Sequence, residues 1–381
     1  MSKIQVFTPK FRVEETLDEI RECLEIGWTG AGFKTVEIED KWKAYTGHDY
    51  AHYLGSATAA LHLAVACYKE KNDWQDGDEV ICPALTFVST NHAVLYERMN
   101  VAFADIDQYG CLDPDSVEAQ IGPRTRAVIF VGLGGNTGQL EKINELCGKH
   151  GLKLILDAAH MAGTRLDGRF PGTNLADVTC YSFQAVKNMP TGDSGMICFA
   201  DEELDAMARK MAWLGISRDT FSRTSTKGDY KWYYDVEYPG FKYNGNAIMA
   251  AIGLVSLRYL DEDNAYRRQL ADWYLEDLKG ANGISHVPVA DGCESSRHLV
   301  QVLVDNRDEV LKLLYEADIY PGVHYRDNTQ YRMYDYAKDT LPVTSDFSNR
   351  LISLPVHLNL TRADVNRVSD TLREAVSKTA S

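Results

Sequence analysis

The sequence has no stretch that would span a membrane or direct secretion. It contains no run of about 18 apolar residues, and its first ten residues lack the apolar segment of a signal peptide. Positive charge is also scarce, since 40 Lys and Arg stand against 55 Asp and Glu, for a net charge of −15. These absences predict a cytoplasmic protein that binds neither membranes nor nucleic acid, because nucleic-acid surfaces need clustered basic residues.

Paired cysteines and metal-binding patterns are missing too. The eight cysteines are scattered and form no C-x-x-C pair, which predicts reduced, buried thiols. His48 and His52 have helical spacing but no third ligand nearby, and the calcium-like loop that starts at Asp105 has Ser116 where its Glu should stand. The glycine-rich stretch 132–138 does not complete a dinucleotide fingerprint. We therefore expect no metal site and no dinucleotide site.

Short apolar strands alternate with helix-length segments through the first half of the chain. Such alternation indicates a mostly parallel sheet that is covered by helices on both faces. After about residue 255, a charged helix at 255–279 leads into segments typical of a smaller α+β domain. We predict an α/β fold with a large domain at 1–254 and a small C-terminal domain at 255–381. The predicted strands of the large domain lie at 50–54, 79–82, 101–105, 127–131, 153–157 and 178–182.

Two residues near the ends of predicted strands suit one cofactor. Asp157 ends an apolar strand, and Lys187 follows the strand 178–182 after a short loop. Ligand sites in parallel sheets gather at the carboxyl ends of strands. Pyridoxal phosphate (PLP) needs an amine for a Schiff base, an acid for its ring nitrogen and donors for its phosphate. The pair favours PLP, although each residue alone would also suit a surface lysine or a loop-fixing aspartate.

The remaining parts of a PLP site can be assigned from the sequence as well. Ala57 and Thr58 open a predicted helix, whose first N–H groups attract a phosphate, and Ser182 adds a hydroxyl close to the lysine. His160 is placed to bond the phenolic oxygen of the cofactor, and Phe87 to stack on its ring. Taken singly, these residues would also fit helix caps, a structural histidine and a core aromatic.

Six segments, in order along the chain, resemble motifs of the PLP-dependent sugar aminotransferases of the DegT/StrS type. The resemblance covers nearly the whole chain. The similar segments and family motifs are Ser56–Leu61 (S-G-T-A-A-L), Pro83–Thr90 (P-x-x-T-F-V-x-T), Leu156–Ala162 (E-D-A-A-Q/H-A), Ser182–Gly195 (S-F-H-x-x-K-N-x-x-T-G-E-G-G), Gly240–Gly253 (G-Y-K-Y-N-M-T-D-I-Q-A-A-I-G) and Ile352–Thr361 (L-S-L-P-L-H-P-x-L-T).

The resemblance implies a fold-type I, aspartate-aminotransferase-like fold and a homodimer with its active sites at the subunit interface. It implies that Lys187 forms the Schiff base and moves protons, and that Asp157 lies under the pyridine nitrogen. The other residues take the roles given above, and Asn244 would reach the phosphate from the neighbouring subunit.

Three departures from the family pattern bear on the substrate. Val131–Gly135 stands where the family usually has H-x-x-G, Ala247 replaces the Asp of T-D-I-Q, and Arg326–Asn328 replaces a proline-containing run. These loops lie near the substrate side in the family, which favours an unusual sugar. We predict ping-pong transfer from L-glutamate to a keto- or aldehydo-sugar of bacterial lipopolysaccharide biosynthesis, with 8-oxo-3-deoxy-manno-octulosonate as the acceptor.

The sequence leaves alternatives for the substrate contacts, for the acceptor sugar and for the function. The predicted substrate contacts are His324, Tyr325, Arg326 and Arg218, with Arg165, Arg223 and Lys227 as further cations, although most of these cations would also suit a solvated surface. A nucleotide-linked 4-keto-6-deoxy or 3-keto hexose is an alternative acceptor. A sugar dehydratase of the same fold and a non-catalytic PLP-binding regulator are alternative functions. Lys187 speaks against the dehydratase, because family members of that kind have a histidine there.

Overall fold

The computed structural model describes residues 3–217 and 234–379. Its helices are α1 (Val13–Ile26), α2 (Phe33–Thr46), α3 (Ala57–Lys71), α4 (Val88–Tyr96), α5 (Pro114–Gln120), α6 (Leu140–His150), α7 (Glu202–Ala212), α8 (Ala247–Arg258), α9 (Leu260–Asp277), α10 (Arg307–Glu316), α11 (Pro342–Arg350) and α12 (Arg362–Thr379). Its strands are β1 (Ile4–Gln5), β2 (His52–Leu54), β3 (Glu79–Pro83), β4 (Asn100–Ala104), β5 (Thr125–Val131), β6 (Lys153–Asp157), β7 (Arg165–Leu166), β8 (Val178–Ser182), β9 (Gly195–Phe199), β10 (Ile284–His286), β11 (Cys293–Glu294), β12 (Val300–Val304), β13 (Ile319–Tyr320) and β14 (Leu351–Leu354).

The central sheet has the strand order β2-β9-β8-β6-β5-β3-β4 within the described residues. β8, β6, β5, β3 and β4 pair in parallel, whereas β9 is antiparallel to both of its neighbours. The parallel strands therefore end at one edge, where Asp157 of β6 pairs in register with Val131 of β5 and Cys180 of β8. The predicted α/β fold with a mostly parallel sheet is confirmed.

Helices cover both faces of this sheet. Ile155 of β6 packs on the face that carries α3, α4 and α7, while Leu154 and Leu156 pack on the face that carries α2, α6 and α8. All three side chains are buried. A strand that is buried on both faces has no polar side to present, which explains the continuous apolar run before Asp157.

The C-terminal part of the chain forms a second, smaller core. β10, β12 and β14 make an antiparallel sheet, and α9, α10 and α12 pack with it around Leu270, Val310 and Val368. β1 pairs in parallel with β13, and its Ile4 belongs to the same core. The first strand of the chain thus packs with the C-terminal part. The domain boundary at residue 254 stays a prediction.

Two elements differ from the predictions. The predicted helix at 255–279 is two helices, α8 and α9, separated at Tyr259, whose φ of −111° lies outside the helical range. β9 is not among the predicted strands, although residues 195–199 are Gly or apolar. So short an apolar run next to a glycine-rich loop carries no periodicity that distinguishes a strand from a buried loop.

The cysteines and the helices agree with the composition. All eight cysteines are free thiols, of which seven are buried and Cys293 is partly buried. Across the described ranges, no helix combines the length and the apolar character that crossing a membrane requires.

Gly195, the first residue of β9, packs directly against the backbone at the start of α3. A Cβ on Gly195 would come within 2.6 Å of the backbone nitrogen of Ala57 and of the carbonyl carbon of Ser56. We expect Gly195→Ala to lower the free energy of unfolding by about 2 kcal/mol, because backbone atoms must move to admit the methyl group. Urea denaturation measures the change.

Gly148→Ala in α6 is the matched control, because a Cβ there meets no atom within 4 Å. It should leave stability unchanged or raise it by up to about 1 kcal/mol, as expected for Gly to Ala within a helix. Similar losses in the two variants would contradict the assigned role of Gly195.

Candidate functional site

A cavity of about 430 Å³ opens at the carboxyl ends of the parallel strands. Most of the predicted site residues lie in its wall, although they come from five separate parts of the sequence. Those that line it are Ala57, Thr58, Phe87, Asp157, His160, Ser182, Lys187, His324 and Tyr325. The fold therefore brings together the residues that the sequence motifs keep apart.

Lys187 lies in a tight loop after β8. The carbonyl of Gln184 accepts a hydrogen bond from the Lys187 N–H at 2.8 Å, and the side-chain oxygen of Gln184 accepts one from Val186 at 3.1 Å. Burial lowers the pKa of the Lys187 amine to about 8, and the negative charge of Asp157 partly opposes this shift. A lowered pKa leaves part of the amine unprotonated near neutral pH, as a nucleophile requires.

Asn188 attaches this loop to the C-terminal part of the chain. Its side-chain nitrogen donates to the side-chain oxygen of Asn264 and to the carbonyl of Ser296, both at 2.7 Å. Its side-chain oxygen lies 3.0 Å from Nδ1 of His298. Because that oxygen can only accept, His298 carries its proton on Nδ1. These bonds fix the backbone next to Lys187 from three directions.

Asp157 is a buried carboxylate that is held from two sides. Its Oδ2 accepts a hydrogen bond from the hydroxyl of Thr90 at 2.7 Å, and its Oδ1 accepts one from the Ala159 N–H at 3.1 Å. Burial raises the pKa of Asp157, and these two hydrogen bonds and the positive charge of Lys187 act against the increase. The carboxylate is oriented, yet it lacks a cation in direct contact among the described residues.

His160 is neutral, and its tautomer follows from its contacts. Its Nδ1 accepts a hydrogen bond from the Gly134 N–H at 3.1 Å, so its proton lies on Nε2. That nitrogen is 3.1 Å from the hydroxyl oxygen of Tyr325, which accepts the bond and keeps its own hydrogen for another acceptor. Burial, with the nearby charge of Lys187, lowers the pKa of His160 well below its usual value.

The start of α3 supplies the anion-binding part of the cavity. Ser56 caps the helix, because its hydroxyl accepts a hydrogen bond from the Ala59 N–H at 3.1 Å. Ala57 and Thr58 are the first two residues of the helix, and the N–H groups at such positions have no acceptor within the helix. Together with the positive end of the helix dipole, they favour a phosphate.

The aromatic and histidine side of the cavity is formed by three predicted residues. Phe87 is 58% exposed, so it is not a core residue. The centre of its ring lies 6.0 Å from the centre of the Tyr325 ring. His324 lies beside them, and burial lowers its pKa to about 4, which leaves it neutral at neutral pH. None of these three side chains brings a positive charge to the cavity.

Three predicted residues that the structure describes, Arg326, Asn244 and Arg165, do not line this cavity. Arg326 is exposed, with its guanidinium 5.3 Å from the centre of the Tyr331 ring. Asn244 lies in the wall of a separate cavity, next to Arg209 and Trp213. Arg218 lies outside the described residues, as do Arg223 and Lys227.

Thr90 and His298 belong to the site and are not among the predicted residues. Thr90 is the last residue of the family-like segment 83–90, so the motif contained the signal for it. The His298 ring centre lies 4.3 Å from that of His160, and both rings are buried. Nothing in the local sequence marks His298. The loop 131–135 was expected to lie near the substrate. Only Val131 of this loop lines the cavity, and Gly134 lies against His160.

A scan of the sequence against protein-family models matches residues 11–373 to the DegT/DnrJ/EryC1/StrS aminotransferase family. The chain belongs to this family. Its members are PLP-dependent enzymes that aminate sugars, and one solved relative, Spr1654 of Streptococcus pneumoniae, has been determined in a PLP form and in a PMP form. The predicted family, fold type, cofactor and aminotransferase class are thereby confirmed.

Two curated relatives match almost from end to end. A spore coat polysaccharide biosynthesis protein, SpsC, of Bacillus subtilis is 33% identical over 375 residues, covering 95% of each chain. The dTDP-4-dehydro-2,3,6-trideoxy-D-glucose 4-aminotransferase of Saccharopolyspora spinosa is 33% identical over 369 residues, covering 95% of this chain and 94% of the relative. Among solved structures, the aminotransferase TlmJ of Streptoalloteichus hindustanus superposes with a TM-score of 0.91 at 30% identity, over 99% of this chain and 100% of TlmJ.

The cavity fits the cofactor of this family. Asp157 receives hydrogen bonds only from Thr90 and Ala159 within the described ranges, so a protonated ring nitrogen would supply its missing positive partner. Lys187 offers an amine of lowered pKa, and the start of α3 offers donors for a phosphate. These three groups are the ones that PLP needs, and they share one cavity.

The hydroxyl of Thr90 is expected to be important for holding Asp157 ionised. Thr90→Val keeps the shape of the side chain but removes the hydrogen bond, so the pKa of Asp157 should rise further. We expect roughly ten- to hundredfold weaker PLP binding, in line with the roughly 1.5–3 kcal/mol of a hydrogen bond to a charged group. Titration of the cofactor-free protein with PLP measures the dissociation constant. Thr90→Ser keeps the hydroxyl and should bind nearly as well as the wild type; equal losses in both variants would refute the role.

The amine of Lys187 should destabilise the cofactor-free protein at pH 7. Its pKa falls from an ordinary 10.5 to about 8 on folding, so the unfolded chain binds more protons between these values. Wild-type stability therefore rises with pH from about 8 to 10.5. We expect Lys187→Met to raise the free energy of unfolding at pH 7 by roughly 3 kcal/mol, an advantage that shrinks above pH 8.

Urea unfolding of the cofactor-free wild type and variant at pH 7 and pH 9.5 tests this expectation. The exposed Lys142 provides the control, and Lys142→Met should give the same small change at both pH values. An advantage of Lys187→Met that does not depend on pH would show that it arises from packing and not from the buried amine.

Proposed function

We propose that this protein is a cytoplasmic enzyme that transfers the amino group of L-glutamate to a keto- or aldehydo-sugar in bacterial surface-polysaccharide biosynthesis. One observation carries the proposal. In a chain of the sugar aminotransferase family, a single cavity contains the amine of Lys187, the buried carboxylate of Asp157 and the open start of α3. The relative named for spore coat polysaccharide biosynthesis supports the proposed pathway.

The residues of the cavity have separate tasks in this proposal. The chemistry that PLP supplies when bound is electron withdrawal from the carbon that loses or gains the amino group. Lys187 Nζ removes the proton from that carbon in one half-reaction and returns a proton in the other. Asp157 keeps the ring nitrogen protonated through its negative charge. Ala57 and Thr58 hold the phosphate through backbone N–H groups and so fix the orientation of the ring.

The order of events is a ping-pong cycle. L-Glutamate leaves its amino group on the enzyme in the first half-reaction, and the sugar collects it in the second. The amine of Lys187 would serve as the base in each half-reaction. The hydroxyl of Tyr325, which accepts from His160, keeps a hydrogen that can be donated to an oxygen in the cavity.

A nucleotide-linked keto-hexose is the acceptor that we favour over an octulosonate. The relative from Saccharopolyspora spinosa is named for a dTDP-linked keto sugar. Both acceptors are anions, and among the described cationic candidates Arg326 is exposed and outside the cavity while His324 is neutral, so the preference rests on that relative. In the described part of the wall, Lys187 is the one basic side chain apart from the neutral histidines.

The proposed active unit is a homodimer in which Asn244 of each subunit reaches the phosphate of the other. Asn244 lies away from the cavity of its own chain. Its side-chain nitrogen donates one hydrogen to the carbonyl of Gly245 at 3.1 Å, which leaves its second hydrogen for a phosphate oxygen. A side chain of this kind is suited to a group that another subunit presents.

The absorbance spectrum of the PLP-loaded protein tests the donor half-reaction. L-Glutamate should convert the band of lysine-bound PLP to that of the aminated cofactor in the wild type. Lys187→Ala should still bind PLP but lack the lysine-bound band and the conversion. Asp157→Asn should convert orders of magnitude more slowly, because electron withdrawal by the ring is weakened. Full activity of Lys187→Ala, or a wild-type spectrum that glutamate leaves unchanged, would overturn the proposal.

The aminated enzyme then distinguishes the two acceptors. A dTDP-linked 4-keto-6-deoxy hexose should restore the original band within one turnover and yield the amino sugar by mass spectrometry. An 8-oxo octulosonate should restore it far more slowly. The opposite order would assign the octulosonate as substrate.

A further inference from the structure

The hydroxyl of Tyr325 keeps a hydrogen that no described residue accepts. Nε2 of His160 donates to the hydroxyl oxygen at 3.1 Å, so the tyrosine is the acceptor in that bond. The hydroxyl hydrogen is then left for another acceptor, and Tyr325 lies in the wall of the large cavity. Burial, with the nearby charge of Asp157, raises the pKa of Tyr325, so this hydrogen stays in place at neutral pH. The cavity therefore contains a free donor beside His160.

His160 itself has no donor left for a ligand. Its Nδ1 accepts from the Gly134 N–H at 3.1 Å, and its one ring hydrogen goes to Tyr325. Its ring centre lies 4.3 Å from that of His298, and its carbonyl accepts a hydrogen bond from the Ser296 hydroxyl at 2.6 Å. Turning the ring toward the cavity would leave the buried Gly134 N–H without a partner, which is costly. The ring of His160 is thus fixed with both nitrogens in use.

The shape of PLP decides where its phenolic oxygen lies. The pyridine nitrogen and the ring carbon that carries the aldehyde lie at opposite ends of one axis through the ring. The phenolic oxygen and the arm that carries the phosphate lie on opposite sides of that axis. Once the nitrogen, the aldehyde and the phosphate have their partners, one side of the cavity remains for the phenolic oxygen.

The order of the strands assigns that side. Asp157 at the end of β6 would hold the ring nitrogen. The start of α3, which would hold the phosphate, lies on the β8–β9 side, because Gly195 of β9 pairs with Ser182 of β8 and packs against Ala57. β5 flanks β6 on the opposite side, and the loop after β5 bonds to His160. The phenolic oxygen therefore faces β5, the side on which His160 and its partner hydroxyl lie.

We propose that Tyr325 donates a hydrogen bond to the phenolic oxygen of bound PLP, and that His160 lies behind it and positions its hydroxyl. This assignment differs from the one that the sequence favours, in which His160 contacts that oxygen directly. It rests on the attachment of PLP to Lys187 that the proposed function requires. A donor at the phenolic oxygen stabilises negative charge there, so that oxygen attracts the proton on the lysine-bound nitrogen less strongly. Tyr325 thereby lowers the pKa of lysine-bound PLP.

The absorbance of the PLP-loaded protein, followed as a function of pH, measures this pKa without requiring turnover. Tyr325→Phe removes only the hydroxyl. We expect it to raise the pKa of lysine-bound PLP by about 1–2, the size expected for the loss of one hydrogen bond to a charged group. Tyr315→Phe, at an exposed tyrosine of α10, is the matched control and should titrate as the wild type does.

His160→Leu separates the two assignments. If Tyr325 is the direct donor, its hydroxyl still reaches the phenolic oxygen in this variant, and the pKa rises less than in Tyr325→Phe. If His160 is the direct donor, the order is reversed, since Tyr325→Phe would leave the Nε2 hydrogen of His160 free for that oxygen. Should His160→Leu not fold, the pKa of Tyr325→Phe decides alone.

A wild-type pKa in Tyr325→Phe, or a larger increase in His160→Leu, would overturn the inference. Both results leave the proposed function intact if L-glutamate still converts the lysine-bound band of the wild type. A wild type that lacks this band would contradict the proposed function and the inference together.

Discussion

Asp157 carries its carboxylate at the end of a strand that is buried on both faces, and much of the site is arranged around that charge. Thr90 and the Ala159 N–H orient it, and the amine of Lys187 lies close enough to affect its pKa. Burial acts on the two groups in opposite directions, raising the pKa of the acid and lowering that of the amine. Both shifts reflect the cost of charge in a cavity with few partners, and bound PLP would provide those partners.

The position of α3 depends on a strand that is remote from it in sequence. Gly195 begins β9 and meets the backbone of Ser56 and Ala57, where no Cβ can be accommodated. The same residue pairs with Leu54 of β2 in the sheet, so the chain enters α3 from a fixed point. A glycine of the lysine motif therefore sets the location of the anion-binding helix start. This contact joins the phosphate side of the cavity to the lysine side.

Asn188 makes a similar connection, between the two cores of the molecule. Its bonds to Asn264, Ser296 and His298 connect the lysine loop to α9 and to the segment before β12. The lysine loop is thereby joined to the C-terminal core through three short, direct contacts.

The sequence by itself determined the class of fold, the cofactor and most of the residues around it, because strand periodicity and short motifs are local properties. Asp157, Lys187 and the helix start at Ala57 were recognisable from their immediate neighbours. The tertiary structure decided the rest. β9 and the break at Tyr259 have no clear local signal, and His298 looks ordinary in sequence. Their roles arise from burial and from partners far away in the chain, and only packing sets those.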